Sequence, residues 1–254
     1  MRHHIFISGD RDDPMMELKD DHRPGMPRGV SVLSDFDGTI TLIDSAEYLL
    51  EHHADGDWRA IEGMLMEGRI TIEECMRMQF EMISIPRDVM LRELDAVILP
   101  RPGLHDLLTR CAANNATFTI TSAGLDFYIR HFMASVGWSS VEIVAPAVTD
   151  EAGRVRFRFP PRTNASARNF KEDRVLRERA DGRLTAYIGD GISDLWAALS
   201  ADLAFAVRGS RLHSELERCG KRHGAFTDLR EVADVLFSED HFPAMSSSAP
   251  EFMQ

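Results

Sequence analysis

Short β-prone runs alternate with helical patterns along most of this chain, and the alternation limits the folds it can adopt. Apolar residues recur at helical spacing between the runs, as in Leu104, Leu107 and Leu108. Strands that alternate with helices favour a parallel sheet covered by helices on both faces. The sequence therefore predicts an α/β fold. The runs that read as strands are residues 30–34, 116–121, 141–144, 184–188 and 203–207.

One long stretch interrupts this alternation. Residues 43–99 offer apolar positions at helical spacing, such as Trp58 with Ile61 and Ile72 with Cys75, and no strand pattern. The simplest interpretation is a helical insertion after the first strand, with residues 29–42 and 100–237 forming the α/β body. We also expect a hairpin within residues 147–160, where an Asp-Glu-Ala-Gly turn separates two β-prone arms.

The two ends of the chain lack any periodic pattern. Residues 1–28 are polar and contain prolines, and residues 238–254 include three consecutive serines. Segments of this composition do not bury enough apolar surface to offset the entropy of ordering. We therefore expect a mobile N-terminal extension and a loose C-terminal tail.

Composition excludes several classes of partner. Asp and Glu number 41 against 29 Lys and Arg, a net charge of −12, whereas nucleic acids and anionic membranes require a cationic face. No apolar run approaches the roughly 20 residues of a membrane helix, and no signal-peptide pattern opens the sequence. The three cysteines form no CxxC pair. We expect a cytoplasmic protein without nucleic-acid or membrane partners.

Two carboxylates follow the first predicted strand directly. Asp35 and Asp37 belong to the run Asp-Phe-Asp-Gly-Thr, at the strand end where open α/β sheets bind ligands. Neighbouring like charges repel each other, so the pair is costly unless a cation neutralises it. Oxygen ligands of this kind suit Mg²⁺, and Gly38 lets the backbone turn sharply and offer N–H groups to an anion. The alternative is an ordinary Asp-Gly turn with solvated carboxylates.

Further polar motifs follow later strands and are weak when taken singly. Ser122, Ala123 and Gly124 come after the second strand and can present a hydroxyl and amides to a phosphate oxygen, although such loops are common. Lys171 near a helix start is ordinarily a solvated surface residue. The run Gly-Asp-Gly-Ile-Ser-Asp after the strand at 184–188 supplies Asp190 and Asp194, although such runs are often turns with a helix N-cap.

The order of these motifs is more informative than any one of them. Strand–Asp-x-Asp-Gly-Thr, strand–Ser, Lys and strand–Gly-Asp-x-x-x-Asp resemble the haloacid dehalogenase-like hydrolase superfamily over residues 31–236. The insertion at 43–99 resembles the C1-type cap of its phosphoserine phosphatase-like members. The resemblance implies a Rossmann-like three-layer core and a small helical cap that closes over the substrate.

The resemblance also implies a role for each matched residue. Asp35 would be the nucleophile that forms an aspartyl-phosphate, and Asp37 would protonate the leaving alkoxide and then deprotonate water. Ser122 would hydrogen-bond a transferring oxygen, and Lys171 would offset the charge of the phosphate and of Asp35 together. The other loop residues expected to contact the phosphate are Gly38, Thr39, Ala123 and Gly124.

The same resemblance implies a magnesium ion among four acids. Asp35 and Asp190 would bind it directly, Asp37 through its backbone carbonyl, and Asp194 through a further carboxylate contact or a coordinated water. In the dehalogenase branch of the superfamily the second aspartate of the first motif is absent. The presence of Asp37 therefore favours hydrolysis of an ester over cleavage of a carbon–halogen bond.

Substrate choice should depend on the cap. Phosphoserine phosphatases carry a glutamate nine residues after the nucleophile and a cap arginine. Here those positions hold Asp44 and Gln79, although Arg77 lies close by. Without the arginine a substrate carboxylate would be left unpaired, which argues against phosphoserine. The run 122–129 is similar to the subgroup that includes the methionine-salvage 2-hydroxy-3-keto-5-methylthiopentenyl-1-phosphate phosphatase.

We therefore expect a Mg²⁺-dependent phosphatase for a small phosphorylated metabolite, as a monomer or homodimer. Phosphoserine phosphatase stays open as an alternative, as does a phosphotransferase or phosphomutase, because these enzymes share the first half-reaction. A protein that keeps the fold and only binds is a further alternative from a different class.

Overall fold

The computed structural model describes residues 27–151 and 154–238 of the chain, with the side chains of 150–156 left out. Nearly all of the predicted extension at 1–28 and of the predicted tail at 238–254 lies outside the described residues. Within the described residues, no helix combines the length and the apolar character needed to cross a membrane.

A parallel sheet and a separate hairpin contain the strands of the described residues. The strands are β1 (Val30–Ser34), β2 (Thr117–Thr121), β3 (Glu142–Val144), β4 (Ala147–Glu151), β5 (Arg154–Arg158), β6 (Leu184–Gly189), β7 (Leu203–Val207) and β8 (Gly224–Phe226). The sheet has the order β3-β2-β1-β6-β7-β8, and all its pairs are parallel. β4 and β5 pair antiparallel, which confirms the predicted hairpin.

The central strand of the sheet is β1. Its Leu33 lies opposite Thr119 of β2 on one side and Tyr187 of β6 on the other. Every residue of β1 is buried, as is usual for a parallel strand covered on both faces. The chain passes from β1 to β2 and β3 and later returns to the other side of β1 at β6. This reversal places a topological switch point beside β1, where open α/β sheets bind ligands.

Alternate residues of the strands enter two separate apolar clusters, which shows that the sheet is covered on both faces. Val32 of β1 and Ile188 of β6 join one cluster, whereas Leu33 and Tyr187 join the other. The helices are α1 (Ser45–His53), α2 (Trp58–Met66), α3 (Ile72–Phe80), α4 (Arg87–Val97), α5 (Leu104–Ala113), α6 (Asp126–Ser135), α7 (Phe170–Ala180), α8 (Leu195–Ser200), α9 (Arg211–Arg218) and α10 (Leu229–Leu236). The predicted α/β class is confirmed.

Helices α1–α4 form a four-helix insertion between β1 and α5. Asp44 caps α1, and Thr71 forms a capping box with Glu74 at the start of α3. The apolar sides of these helices, including Leu49 and Leu94, join the larger core cluster. The apolar core of the insertion is therefore continuous with that of the α/β body.

The parallel sheet contains one strand more than the five that the sequence predicted. β8 contains Gly-Ala-Phe, without a β-branched residue, so its pattern did not indicate a strand. It lies at the edge of the sheet and pairs only with β7, with Gly224 opposite Phe205. A Cβ at Gly224 would lie 2.8 Å from the Phe205 ring, so this close pairing depends on glycine.

Candidate active site

Three neighbouring strands end in polar residues at the same edge of the sheet. Asp35 follows β1, Ser122 follows β2 and Asp190 follows β6. Because β1 lies between β2 and β6, the three loops converge above the centre of the sheet. Asp35 and Ser122 are both buried. The residues that the sequence had singled out in separate motifs thus share one site.

Lys171 reaches this edge from the first turn of α7. Its side chain is only 1% exposed, and its Nζ lies 3.0 Å from Asp35 Oδ1 and 2.6 Å from Asp194 Oδ1. Burial alone lowers the pKa of Lys171, but the charges of Asp194 and Asp35 more than offset that effect and hold the pKa above its usual value. A lysine that looked like a solvated surface residue is therefore a buried cation between two carboxylates.

Asp35 carries the strongest sign of a ligand. Burial, followed by the charge of Asp194, raises the pKa of Asp35 well above its usual range, and Lys171 opposes the rise. Its Oδ1 is buried and accepts no well-directed hydrogen bond, although Lys171 makes the ion-pair contact. A buried carboxylate oxygen with spare acceptor capacity is what a cation or an electrophilic phosphorus would use.

The donor set fits a hard divalent cation. One carboxylate oxygen from each of Asp35, Asp190 and Asp194 lies within 4.8 Å of the other two. Burial and then Asp194 raise the pKa of Asp190 to about 7, because the ionised form is costly beside other carboxylates. Oxygen ligands that repel one another without a cation match the preference of Mg²⁺.

Asp194 differs from Asp35 and Asp190 because both of its carboxylate oxygens accept hydrogen bonds from within the protein. It is fully buried; Oδ1 accepts from Lys171 Nζ and from Tyr187 Oη at 2.7 Å. Oδ2 accepts from the backbone N of Asp190 at 3.1 Å and of Gly191 at 2.9 Å. Asp194 therefore orients the lysine and the Asp190 turn, and Asp35 and Asp190 are the carboxylates with more freedom to bind a cation.

Asp37 is placed to hold and release a proton. Its Oδ1 accepts hydrogen bonds from the backbone N of Ser45 at 2.9 Å and from the Ser45 hydroxyl. Burial, and then the charge of Asp44, raises the pKa of Asp37 to about 7, while both Ser45 bonds lower it. A carboxyl that titrates near neutral pH suits general acid–base work. Sequence reasoning missed Ser45; the signal available was its position after the helix N-cap Asp44.

Two glycines allow the loops to approach each other. A Cβ at Gly124 would lie 2.3 Å from Asp37 Oδ2 and 3.2 Å from Ser122 Oγ. Gly38 has φ of +70°, and a Cβ there would lie 2.5 Å from Asp190 Oδ2. Both positions therefore require glycine for a close approach, and at Gly38 also for the backbone conformation.

The remaining predicted phosphate contacts lie in the same loops but already have partners. Thr39 donates its hydroxyl to Asp190 Oδ1 at 2.6 Å, and the Gly38 N–H donates to Thr41 Oγ1 at 3.2 Å. The Gly124 N–H donates to Ser122 Oγ at 2.9 Å, and Ala123 is half-buried beside it. These contacts stiffen the two loops.

The two residues predicted from the insertion differ in position. Asp44 accepts from the Glu47 backbone N at 2.9 Å and directly precedes Ser45, so it lies next to the Asp37 contact. Gln79 donates its side-chain amide to Trp58 O at 3.3 Å, a contact between α3 and α2. The structure thus brings Asp44 to the site, whereas the contact of Gln79 is within the insertion.

Residues 32–199, more than half of the chain, match the haloacid dehalogenase-like hydrolase family. The chain belongs to this family. Within it the chain is a phosphoric monoester hydrolase, in keeping with the paired aspartates at Asp35 and Asp37 and with its phosphatase relatives.

Two relatives and one solved structure describe the similarity. The chain is 24% identical over 220 residues to a 2-hydroxy-3-keto-5-methylthiopentenyl-1-phosphate phosphatase of Brevibacillus brevis, covering 83% of this chain and 96% of the relative. It is 27% identical over 239 residues to a polyol phosphate phosphatase of Saccharomyces cerevisiae, covering 88% and 98%. A substrate-bound phosphoserine phosphatase structure shares the fold, with a TM-score of 0.63, 18% identity, and coverage of 81% and 97%.

Proposed function

We propose that this phosphatase hydrolyses phosphomonoesters of small metabolites through an aspartyl-phosphate on Asp35, with Mg²⁺ bound beside it. The observation that carries the proposal is the buried Asp35, whose Oδ1 lies 3.0 Å from Lys171 Nζ and has no other hydrogen-bond partner. Asp35 and Asp190 would hold the cation through carboxylate oxygens, and Asp37 through its backbone carbonyl. The cation would neutralise phosphate charge and favour the ionised form of Asp35.

The first half-reaction transfers the phosphoryl group to the enzyme. An Asp35 carboxylate oxygen forms a bond to phosphorus while the bond from phosphorus to the alcohol oxygen breaks. Asp37 gives its proton to the leaving oxygen, and a pKa of about 7 allows it to hold that proton near neutral pH. Lys171 and Ser122 stabilise the charge on the transferring group.

The second half-reaction regenerates the enzyme. Asp37, now ionised, accepts a proton from a water molecule that attacks phosphorus. The bond from phosphorus to Asp35 breaks, and inorganic phosphate leaves with the carboxylate restored. One group serves as acid and then as base because its pKa lies close to the working pH.

We propose that residues 43–99 act as a cap over this site, with the core formed by 29–42 and 100–237. Asp44 of this segment lies beside the Ser45–Asp37 contact. Arg77 is exposed on α3 and Gln79 bonds to Trp58, which supports a substrate other than phosphoserine. A small phosphorylated metabolite that lacks a free carboxylate agrees best with these residues.

The test of the mechanism is Asp35→Asn, assayed with p-nitrophenyl phosphate and Mg²⁺. We expect turnover to fall by at least about 1,000-fold, because an amide does not replace the nucleophile. Asp88→Asn, an exposed carboxylate on α4, is the matched control and should keep full activity. Circular dichroism establishes that both variants fold. Retained turnover in a pure, folded Asp35→Asn protein contradicts the mechanism.

The substrate requires a panel of phosphorylated metabolites with Mg²⁺ present. The panel contains phosphoserine, sugar and polyol phosphates, phosphocholine, pyridoxal phosphate and the methionine-salvage intermediate. Adding an alcohol acceptor and measuring inorganic phosphate against the new ester separates hydrolysis from phosphoryl transfer. Failure to detect a phosphorylated enzyme with any member, despite Mg²⁺ binding, would favour a binding protein instead.

A further inference from the structure

Arg101 lies where the chain returns from the four-helix insertion to the α/β body. The outgoing and returning segments run side by side here, since Leu42 N donates to Leu99 O at 3.0 Å. Arg101 is only 8% exposed, and among the side chains that the structure describes no carboxylate lies within ion-pair distance of it. Burial lowers the pKa of Arg101, and the charge of Asp190 opposes this. A buried cation of this kind needs other polar partners.

Those partners are the carbonyl oxygens of the turn that follows Asp37. Arg101 donates to four consecutive carbonyls: those of Gly38 (from Nη2, 2.5 Å), Thr39 (from Nε, 2.6 Å), Ile40 (from the backbone N, 2.7 Å) and Thr41 (from Nη2, 3.4 Å). Its Nη1 also donates to Thr227 O at 3.4 Å, in the loop before α10. The planar fork of arginine suits such convergent acceptors, and the single ammonium of lysine does not.

The turn that Arg101 holds carries two contacts of the active site. Phe36 O accepts from the backbone N of three residues in this turn, at 2.8–3.2 Å, which gives the turn its helical form. Asp37 is its first residue and bonds to Ser45, and Thr39 bonds to Asp190. A shift of the turn therefore moves the Asp37 carboxyl, whereas Asp190 is also held through its own backbone N–H, which donates to Asp194.

We propose that Arg101 is a positioning residue that sets the place of Asp37 relative to the leaving-group oxygen. The inference rests on the proposed function, in which Asp37 protonates that oxygen. Arg101 does not contact the reacting atoms; it acts through the carbonyls of residues 38–41. Its effect should therefore be largest where protonation of the leaving group matters most.

The experiment compares Arg101→Lys with the wild type on three monoesters with increasingly basic leaving groups. These are p-nitrophenyl phosphate, phenyl phosphate and glycerol phosphate. The ratio kcat/KM reports the first half-reaction alone. We expect it to fall about 10- to 100-fold for phenyl and glycerol phosphate and less than about 3-fold for p-nitrophenyl phosphate, whose leaving group needs little protonation. In an Asp37→Asn background, Arg101→Lys should change kcat/KM little further.

Arg174→Lys is the matched control, because Arg174 is also largely buried but bonds to Glu142 and Glu178 instead of the turn. It should leave the dependence on the leaving group unchanged. If Arg101→Lys folds poorly, Arg101→Gln replaces it, with one amide donor kept. An equal fall for all three esters, or full additivity with Asp37→Asn, overturns the proposal.

Amide hydrogen exchange gives a readout that does not depend on activity. Protection of the N–H groups of residues 39–41 should fall at least about 10-fold in Arg101→Lys and stay constant in Arg174→Lys, since loss of order in a turn raises its opening rate. A wild type that hydrolyses none of the three esters and no member of the metabolite panel contradicts the proposed function. In that case unchanged exchange in Arg101→Lys also overturns the hold of Arg101 on the turn, and lost protection supports that hold alone, without a role in positioning the proton donor.

Discussion

Asp37 should make the stability of the metal-free protein fall as pH rises. Burial, and then the charge of Asp44, raises its pKa from the ordinary 3.8 to about 7. The folded protein therefore binds this proton more tightly than the unfolded chain does. The stabilising contribution of such a group is complete below the unfolded pKa and is lost as pH rises through the folded pKa.

Asp37→Asn removes this titration and keeps an oxygen that can accept from Ser45. With a folded pKa of about 7, the stability that the wild type gains from this proton falls by about 2 kcal/mol between about pH 5.5 and about pH 7.5. The free energy of unfolding of Asp37→Asn minus that of the wild type should therefore increase by about 2 kcal/mol from the lower to the higher pH.

Urea unfolding in buffer with EDTA, monitored by tryptophan fluorescence, measures this difference in free energy at both pH values. Asp88→Asn serves as the control, because Asp88 is exposed on α4. The difference in free energy of unfolding between this variant and the wild type should be the same at both pH values. Saturating Mg²⁺ should reduce the difference, since a cation favours the ionised carboxylates. A relative stability of Asp37→Asn that stays constant within about 0.5 kcal/mol, or falls with pH, refutes the reasoning.

Substitutions at Gly124, Gly63 and Lys171 test packing and charge compensation. Gly124→Ala places a Cβ 2.3 Å from Asp37 Oδ2 and should lower kcat/KM for phenyl phosphate, whose leaving group needs a proton, by about 100-fold. Gly63→Ala, where nothing lies within 4 Å, should keep activity and raise stability by about 0.5–1 kcal/mol in urea unfolding. Lys171→Met should lower the free energy of unfolding by about 3–5 kcal/mol, because it leaves buried carboxylates uncompensated, and adding Asp194→Asn should recover part of the loss. A loss below about 1 kcal/mol for Lys171→Met would contradict this account.

Local sequence patterns predicted most of the fold. Alternating strand and helix patterns place Asp35, Ser122 and Asp190 after strands, and strands of a parallel sheet end at one edge. The long helical stretch predicted the insertion of α1–α4. The edge strand β8 was missed, because its three residues lack β-branched side chains and acquire their conformation from pairing with β7.

The partners of the site residues could not be predicted in this way. By its local pattern Lys171 looked like a solvated lysine; the family resemblance implied a role beside Asp35, and packing places it between Asp35 and Asp194. Asp194 read as a metal ligand, and only the structure shows donors on both of its oxygens. Arg101 was assigned no role from the sequence, because its bonds to residues 38–41 span about sixty positions of sequence.

The sequence by itself determined the α/β class and the positions of the paired aspartates, because strand and helix periodicity and short motifs are local properties. The family resemblance supplied the expected roles. The tertiary structure decided which charges are buried together, which carboxylates hold protons near neutral pH, and which residues hold the Asp37 turn. These depend on burial and on hydrogen-bond partners from distant segments, which exist only after the chain has packed.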